Sequence, residues 1–562
     1  MQPLPAASTS VRWREVFVLA ATCIALAVAL RAPLSLHLWA VPLDPNTPLH
    51  AIAARQIAGL GSPTVLDMID PPSGIPVRIV AWPMVLLAAP FVGTLGALPA
   101  VNLATTLLVA LQGLGVSLTA RALRIGFWGQ LMGAVAGISA PLVLHAQSLG
   151  RPENLAFPAF AMIAIGSQRT GSVSRIALGT MGLLAAAFSS PYQAVPAGLL
   201  VLALYGFSGW KPQRTKRHWW EISVIVLLAA VPTVLYFIGA AAGDAGESAF
   251  TTSPPESTAA AVTGFGELTW PRAMAHGRPV YGLDWSTRWG DLFVGQARFG
   301  PNFGVRTASQ ISWLGHLLLA LGLVGAWKHR HRAFIPPLVL AAMAAVLFAL
   351  GPDLRMWSER PWHIPLPWAG LQRLPGMDAL VATSRFLSGT VFALCITAAA
   401  LTDRLPRRWW LIVAAGLLFD GAWRTPRVWP VPAADTPFFA VARTLPPGPV
   451  ALWPPIDTIP AQNHELAAAI VERHVHMMSL DRETPANWAR RLSTQGVASF
   501  VNIASLDANG LFTKDGHGVP QEVQDEQARR MLVREETCID NICWRPFRLE
   551  SFAAEAMLDG DQ

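Results

Sequence analysis

The sequence predicts a mainly α-helical membrane protein, a polytopic bundle of about eleven spans followed by a C-terminal extracytoplasmic α/β domain. Three observations point there. Of the 562 residues, 52% are hydrophobic and only 14% are charged, well below the roughly 25% charge of soluble domains. Apolar runs of about 20 residues, the length a helix needs to cross the hydrocarbon core, recur along the first three quarters of the chain with short Lys and Arg clusters between them. After Trp423 the runs stop, and short alternating and helix-like stretches take over.

The formal net charge of +7 would suggest nucleic acid in a soluble protein. Here the basic residues sit in short loops between apolar runs, which is the positive-inside pattern and not a polynucleotide footprint. The first run, Val16 to Leu30 behind Arg12 and Arg14, reads as an uncleaved signal-anchor because further apolar runs follow it. Cys23 and Cys395 lie inside apolar runs, Cys538 and Cys543 lie together near the C-terminus, and no metal-ligand spacing relates them.

One segment decides the topology. If Ile79 to Leu98 crosses, the basic clusters fall on alternating sides and the later ones land outside; if it lies at the outer interface, as its Pro83, Pro90, Gly93 and Gly96 suggest, they all fall inside. The spans are then Val16 to Leu30, Val101 to Ala120, Trp128 to Leu144, Leu155 to Ser167, Ile176 to Ser189, Pro191 to Phe207, Trp219 to Ala240, Ile311 to Trp327, Phe334 to Leu350, Phe386 to Leu401 and Trp409 to Trp423. The N-terminus is cytoplasmic and the C-terminus outside. A membrane domain covers residues 1–426, with outer loops 33–100, 241–310 and 351–385, and a soluble domain covers 427–562. Near its end VREETCIDNICWRPF reads as a hairpin turning at Asp540 and Asn541, which sets Cys538 opposite Cys543 and predicts a disulfide suited to the outer side.

The first outer loop holds the leading candidates for chemistry. Asp44 stands just past the first span, where a carboxylate can act as general base on a hydroxyl acceptor or help hold a divalent metal. It can equally cap a helix that begins near Thr47. His50 and Arg55 follow at helical spacing, and the planar fork of Arg55 suits either a phosphate or an ordinary lipid headgroup. Asp67 and Asp70 read as solvated turn residues. A second outer loop, HAQSLGRPEN, brings His145, Arg151 and Glu153. Glu153 fits the first turn of a helix or an acid/base or metal-ligand role.

The order of these features resembles the GT-C superfamily of integral-membrane glycosyltransferases: a first helix, a long outer loop opening on an Asp, an in-plane helix, and a short outer loop with a second acidic residue. GPDLRMW followed by IPLPWAGLQRLPGMDALVATSRF is similar to the loop before the last helices of bacterial members, and PFFAVARTLPPGPVALWPP is similar to the start of their outer tails. The resemblance implies transfer of a sugar from a polyprenyl-phosphate carrier to a glycan, lipid or protein acceptor on the outer face of the bacterial inner membrane. It implies Asp44 as base or metal-site residue, Glu153 as the second acid, and Arg55 and Arg385 as contacts to the carrier phosphate, with His50, His145 and Arg151 completing the expected substrate contacts. A divalent ion, Mg or Mn, would sit on Asp44 and Glu153. The sequence departs from the family pattern in following a lone Asp44 with Pro45, and in lacking a WWD motif.

A different class, a non-catalytic or transport protein that binds lipid-linked glycans, would place ionisable residues deep in the spans. The spans here are nearly free of charge and the polar residues crowd to their outer ends, a distribution that favours surface chemistry. An inactive assembly factor with the same body shares that distribution, so the sequence leaves it open.

Overall fold

The computed structural model describes residues 13–32, 35–36, 38, 40–41, 46–61, 65–66, 75–76, 81–148, 152–207, 215–242, 273–275, 278–280, 289–292, 314–352, 354, 364–371, 380, 383–424, 431–432, 450–453, 475–476, 499–505, 537–539 and 542–548. The first span forms α1 (Trp13–Leu30). The opening loop then contributes β1 (Ala40–Val41), α2 (Asn46–Ala58), β2 (Val65–Leu66), β3 (Ile75–Pro76) and α3 (Trp82–Leu95). Only Gly96 separates α3 from α4 (Ala97–Ala122), and its φ of +87° is a backbone state that residues with a Cβ rarely adopt.

The apolar runs that follow become α5 (Phe127–Ser139), α6 (Pro141–Ser148), α7 (Phe157–Ser167), α8 (Ser172–Ser189), α9 (Pro191–Gly206) and α10 (Thr215–Ala242). Later come β4 (Ala273–Ala275), β5 (Arg278–Val280), α11 (His316–Lys328), α12 (Ile335–Ala349), the short α13 (Pro367–Leu371), α14 (Leu387–Thr402) and α15 (Arg407–Arg424). Each run predicted to span therefore contains helix, although the first residues of Ile311 to Trp327 are outside the described residues. Among the described residues five segments are long and apolar enough to cross a membrane, namely 13–30, 97–122, 172–189, 219–236 and 383–402. Three shorter helices, α3, α11 and α12, are apolar as well.

One run departs from expectation. Trp128 to Leu144 is two helices, because Pro141 cannot donate to the ladder and Ala140 before it adopts ψ of 132°. The break is buttressed from α15, where Gly421 meets the Ser139 carbonyl so closely that no Cβ would fit.

Helix α4 is the centre of the bundle, packing on α1, α2, α3, α5 and α7. Helix α14 is buried along its whole length and packs on α5, α11 and α12. Small residues allow these close approaches. Gly325 of α11 leaves no room for a Cβ against the Thr397 carbonyl of α14, and Gly182 of α8 would set one 2.6 Å from the Ala159 carbonyl of α7. In lipid, where apolar side chains gain little by leaving a solvent as apolar as themselves, such packing is what drives helices together.

Buried polar groups then fix the register. Arg31, at the end of α1, donates to Thr106 Oγ1 at 2.7 Å, to Asn102 Oδ1 at 3.2 Å and to the Asn102 carbonyl, and Asn102 donates to the Leu38 carbonyl at 2.7 Å. Arg175 pairs with Glu221 at 2.9 Å, donates to the Ser167 carbonyl at 2.8 Å and lies over the Tyr205 ring. The sequence places Arg175 in an inside cluster in contact with water, but its side chain is only 10% exposed. The reason is Glu221, an acid at the start of the facing apolar stretch of α10.

After α15 come β6 (Val431–Pro432), β7 (Val450–Trp453), β8 (Val475–His476), β9 (Ser499–Ser505), β10 (Thr537–Ile539) and β11 (Ile542–Arg548). Five of them form one mixed sheet in the order β10-β11-β9-β7-β8. Strands β7 and β8 are parallel, so a crossover must join them, and the helix-like HELAAAIVERHV that would supply it lies outside the described residues. Cys538 stands opposite Cys543 in the β10–β11 pair, the register read from the sequence. Strand β6 returns to the membrane domain and pairs with β1, Ala40 opposite Pro432 and Val41 opposite Val431, tying the opening loop to the chain that leaves the last helix.

Candidate functional site

Two of the residues singled out in the sequence meet. Glu153 lies in a 3₁₀ turn, Pro152–Asn154, and Arg385 in another, Thr383–Phe386, directly before α14. Their chain separation is large, yet Arg385 Nη1 is 3.7 Å from Glu153 Oε1, with side-chain exposures of 16% and 1%. The distance makes an ion pair and not a hydrogen bond. Glu153 thus stands in the first turn of a short 3₁₀ helix that Pro152 opens, the placement its sequence allows, and Leu155 and Ala156 separate it from α7.

The supports of this pair come from four helices. Gln112 of α4 accepts the Phe157 N–H at 2.9 Å through Oε1 and donates to the Leu108 carbonyl. That bond caps α7 from outside and fixes the turn that carries Glu153, because the first N–H groups of a helix have no partner of their own. Tyr192 at the start of α9 sets its ring 4.8 Å beneath the Arg385 guanidinium, a cation–π contact. Beside it Gln193 accepts from Ser388 Oγ at 2.6 Å. Gln193 is fully buried, and its Nε2 has no hydrogen-bond partner among the described residues. Trp368 of α13 packs edge-on against Phe386 at 4.8 Å and holds the Arg385 turn from the other side. Gln112, Tyr192, Gln193 and Ser388 are not among the residues the sequence points to. Their only signal is polarity inside an apolar run, and nothing local names the partner.

His145 is on α6, which packs on the Glu153 turn, and is buried with 8% exposure. His50 lies on α2 and accepts the Ala81 N–H at 3.0 Å through Nε2, which holds α2 to the start of α3. Arg55 is on the same helix and half-buried. Asp44, Asp67, Asp70 and Arg151 lie outside the described residues. Among the described residues no three His, Cys, Asp or Glu side chains gather as a metal site. Glu153 faces a guanidinium, and a divalent cation on that carboxylate would meet Arg385 at close range. The other residue expected to hold that ion, Asp44, is outside the described residues.

The chain is thus a helical bundle with a buried acid–base pair at one end and a mixed sheet after its last helix. It matches no known family and no curated relative, but solved structures resemble it. ArnT from Cupriavidus metallidurans in the apo state aligns over 96% of this chain and 98% of its own, with a TM-score of 0.51 and 12% identity. ArnT bound to undecaprenyl phosphate gives a TM-score of 0.45 at 11% identity over the same shares. The archaeal oligosaccharyltransferase AglB from Archaeoglobus fulgidus gives 0.44 at 10% identity, over 91% of this chain and 75% of its own. The likeness to apo ArnT extends over nearly the full length of both chains, and the chain shares the fold of that structure.

Proposed function

We propose that this protein is a membrane glycosyltransferase that takes a sugar from a polyprenyl-phosphate donor and passes it to an acceptor on the extracytoplasmic face. The observation that carries the reading is the convergence of Glu153 and Arg385 from distant parts of a GT-C fold onto one buried site. Arg385, held between Glu153 and the Tyr192 ring, keeps a fixed cation where a donor phosphate can exchange for the Glu153 carboxylate. Charge-assisted bonds from Arg to phosphate are among the stronger polar contacts available to a site. Asp44 is then the base that takes the proton of the acceptor hydroxyl as that oxygen attacks the sugar's anomeric carbon, and the carrier phosphate leaves with the bonding electrons. In this role the carboxylate contributes a proton acceptor of fixed position, worth typically a hundredfold or more in rate.

The reading is tested by deleting the gene and profiling envelope glycans and lipids by mass spectrometry, then complementing with wild type or Asp44→Asn. The wild type should restore the missing glycan, and Asp44→Asn should not, at equal membrane abundance. Restoration by Asp44→Asn refutes Asp44 as the base, and an unchanged glycan profile on deletion refutes the transferase itself.

A further inference from the structure

The other end of the bundle carries a second cluster, which contributes no group to the site described above. Helix α14 starts just after Arg385 and ends at Thr402, so its far end lies about 24 Å away at 1.5 Å per residue. There the ends of α4, α11 and α14 and the starts of α5 and α15 come together. Ala120, Ile125, Ala399 and Ala400 pack as one apolar cluster. The Trp128 ring stacks on Trp410 at 4.0 Å, and Trp410 donates to the Thr402 carbonyl at 3.1 Å.

Around this junction stand Arg121, Arg124, Lys328, Arg332, Arg404 and Arg408, and within 121–128, 327–334 and 402–408 Asp403 is the one acidic residue. Asp403 is turned onto α5, where it abuts Gly126 and Gly129. His329 is buried, bonds to the backbone of Ala400, and faces the charges of Lys328, Arg332 and Arg404. Burial and these three cations together push its imidazole below its ordinary pKa. Two polar atoms here, His329 Nε2 and Arg121 Nη1, are sealed from solvent without a hydrogen-bond partner among the described residues. Like charges held together are costly, and an anion among them offsets that cost and favours the protonated imidazole, whose Nε2–H can then donate to the anion as Arg121 Nη1 does.

The flank of the cluster distinguishes a lipid from a free ion. Leu323, Val324 and Trp327 of α11 are exposed next to Lys328 and continue the charged patch into an apolar surface, and Trp128 and Trp409 are exposed beside it. Tryptophan at this level with a basic patch against an apolar face is the chemistry of the headgroup region.

We propose that this end of the bundle is a headgroup site for an anionic phospholipid, with the phosphate among Arg121, His329, Arg332 and Arg404 and the acyl chains along α11. The proposal is independent of the glycosyl-transfer reading.

The test is lipid titration of the full chain in detergent, read by native mass spectrometry, with dioleoyl-phosphatidylglycerol, dioleoyl-phosphatidylcholine and inorganic phosphate. The wild type should retain phosphatidylglycerol over phosphatidylcholine at least about tenfold, and inorganic phosphate should not displace it. At about one kcal/mol per basic residue near a headgroup, Arg121→Gln with Arg332→Gln and Arg404→Gln should weaken phosphatidylglycerol binding about a hundredfold and leave phosphatidylcholine unchanged. Equal retention of the two lipids by the wild type overturns the proposal, as does displacement by inorganic phosphate or an unchanged affinity in the triple variant. Should the triple variant fail to fold, the wild type alone decides. Its phosphatidylglycerol affinity must fall as salt screens the charges, and an affinity indifferent to salt also overturns the site.

Discussion

The pair at the centre of the candidate site makes a quantitative prediction. Two unit charges about 4 Å apart attract by roughly 4 kcal/mol at an effective dielectric near 20, and desolvation of both groups offsets part of that. The 3.7 Å separation lacks the hydrogen bond that would add most to the net value, which places the coupling near the low end of measured close charge pairs, about 2 kcal/mol. Glu153→Gln leaves Arg385 with the Tyr192 ring and some water, and should cost about 2 kcal/mol. Arg385→Gln takes the countercharge from a carboxylate with 1% exposure and should cost more, about 3 kcal/mol. The double variant should then cost about 3 kcal/mol, well below the sum. SDS-titrated unfolding in mixed micelles of the four proteins closes the cycle. Additivity of the single costs to within about 0.5 kcal/mol refutes the contact. The same four proteins separate stability from function, because the double variant should be as stable as Arg385→Gln alone and still show no transfer activity.

Three further outcomes follow from the same structure. Glu221→Leu should destabilise the bundle by about 3 kcal/mol, since it takes the countercharge from the buried Arg175; adding Arg175→Met should recover most of that loss in the same unfolding assay. Pro99 is buried, whereas Thr94 is exposed near the end of α3, so a Thr94→Cys variant lacking the native cysteines should react with an impermeant maleimide added outside the membrane; reaction only from the cytoplasm removes the eleven-span topology. Cys538 and Cys543, opposite each other in β10 and β11, should resist alkylation in denatured protein until a reductant is added, and intact mass distinguishes this from a protein with four open thiols.

The helices were legible because lipid leaves the backbone little choice. A segment in hydrocarbon must satisfy its own N–H and C=O groups, so apolar length alone announces helix. The break in Trp128 to Leu144 was also written in the chain, in Pro141, but a hydropathy reading averages across one proline. What stayed hidden was pairing. Gln112, Gln193 and Arg31 look like flaws in or beside apolar runs until their partners appear, and those partners, the Phe157 N–H, Ser388 and Asn102, come from 45, 195 and 71 residues away. In a soluble loop such residues would carry little weight. In an apolar bundle, a polar side chain without a partner is expensive enough that each one implies a contact, although the sequence cannot say with what. Glu153 and Arg385 were each visible for their charge, and only the fold shows that they face each other.

Helix α14 connects these observations. Its sixteen residues are all buried and none is charged, while Arg385 precedes it and Asp403 and Arg404 follow it. At about 24 Å the helix falls short of the roughly 30 Å of the hydrocarbon core, so Arg385 before it and Arg404 after it come within a few Å of opposite edges of the apolar layer. Gly325 holds α11 against α14 with no room for a side chain, and Ser388 locks the other end of α14 to Gln193 on α9. The helix therefore cannot slide by a turn without breaking both contacts. Its position in the membrane thereby sets how far Arg385 stands from the bilayer surface. An anionic headgroup gripping Arg404 and Arg332 would fix that depth from the far side, so loss of the basic cluster should lower transfer even though its residues stand about 24 Å from the reacting groups.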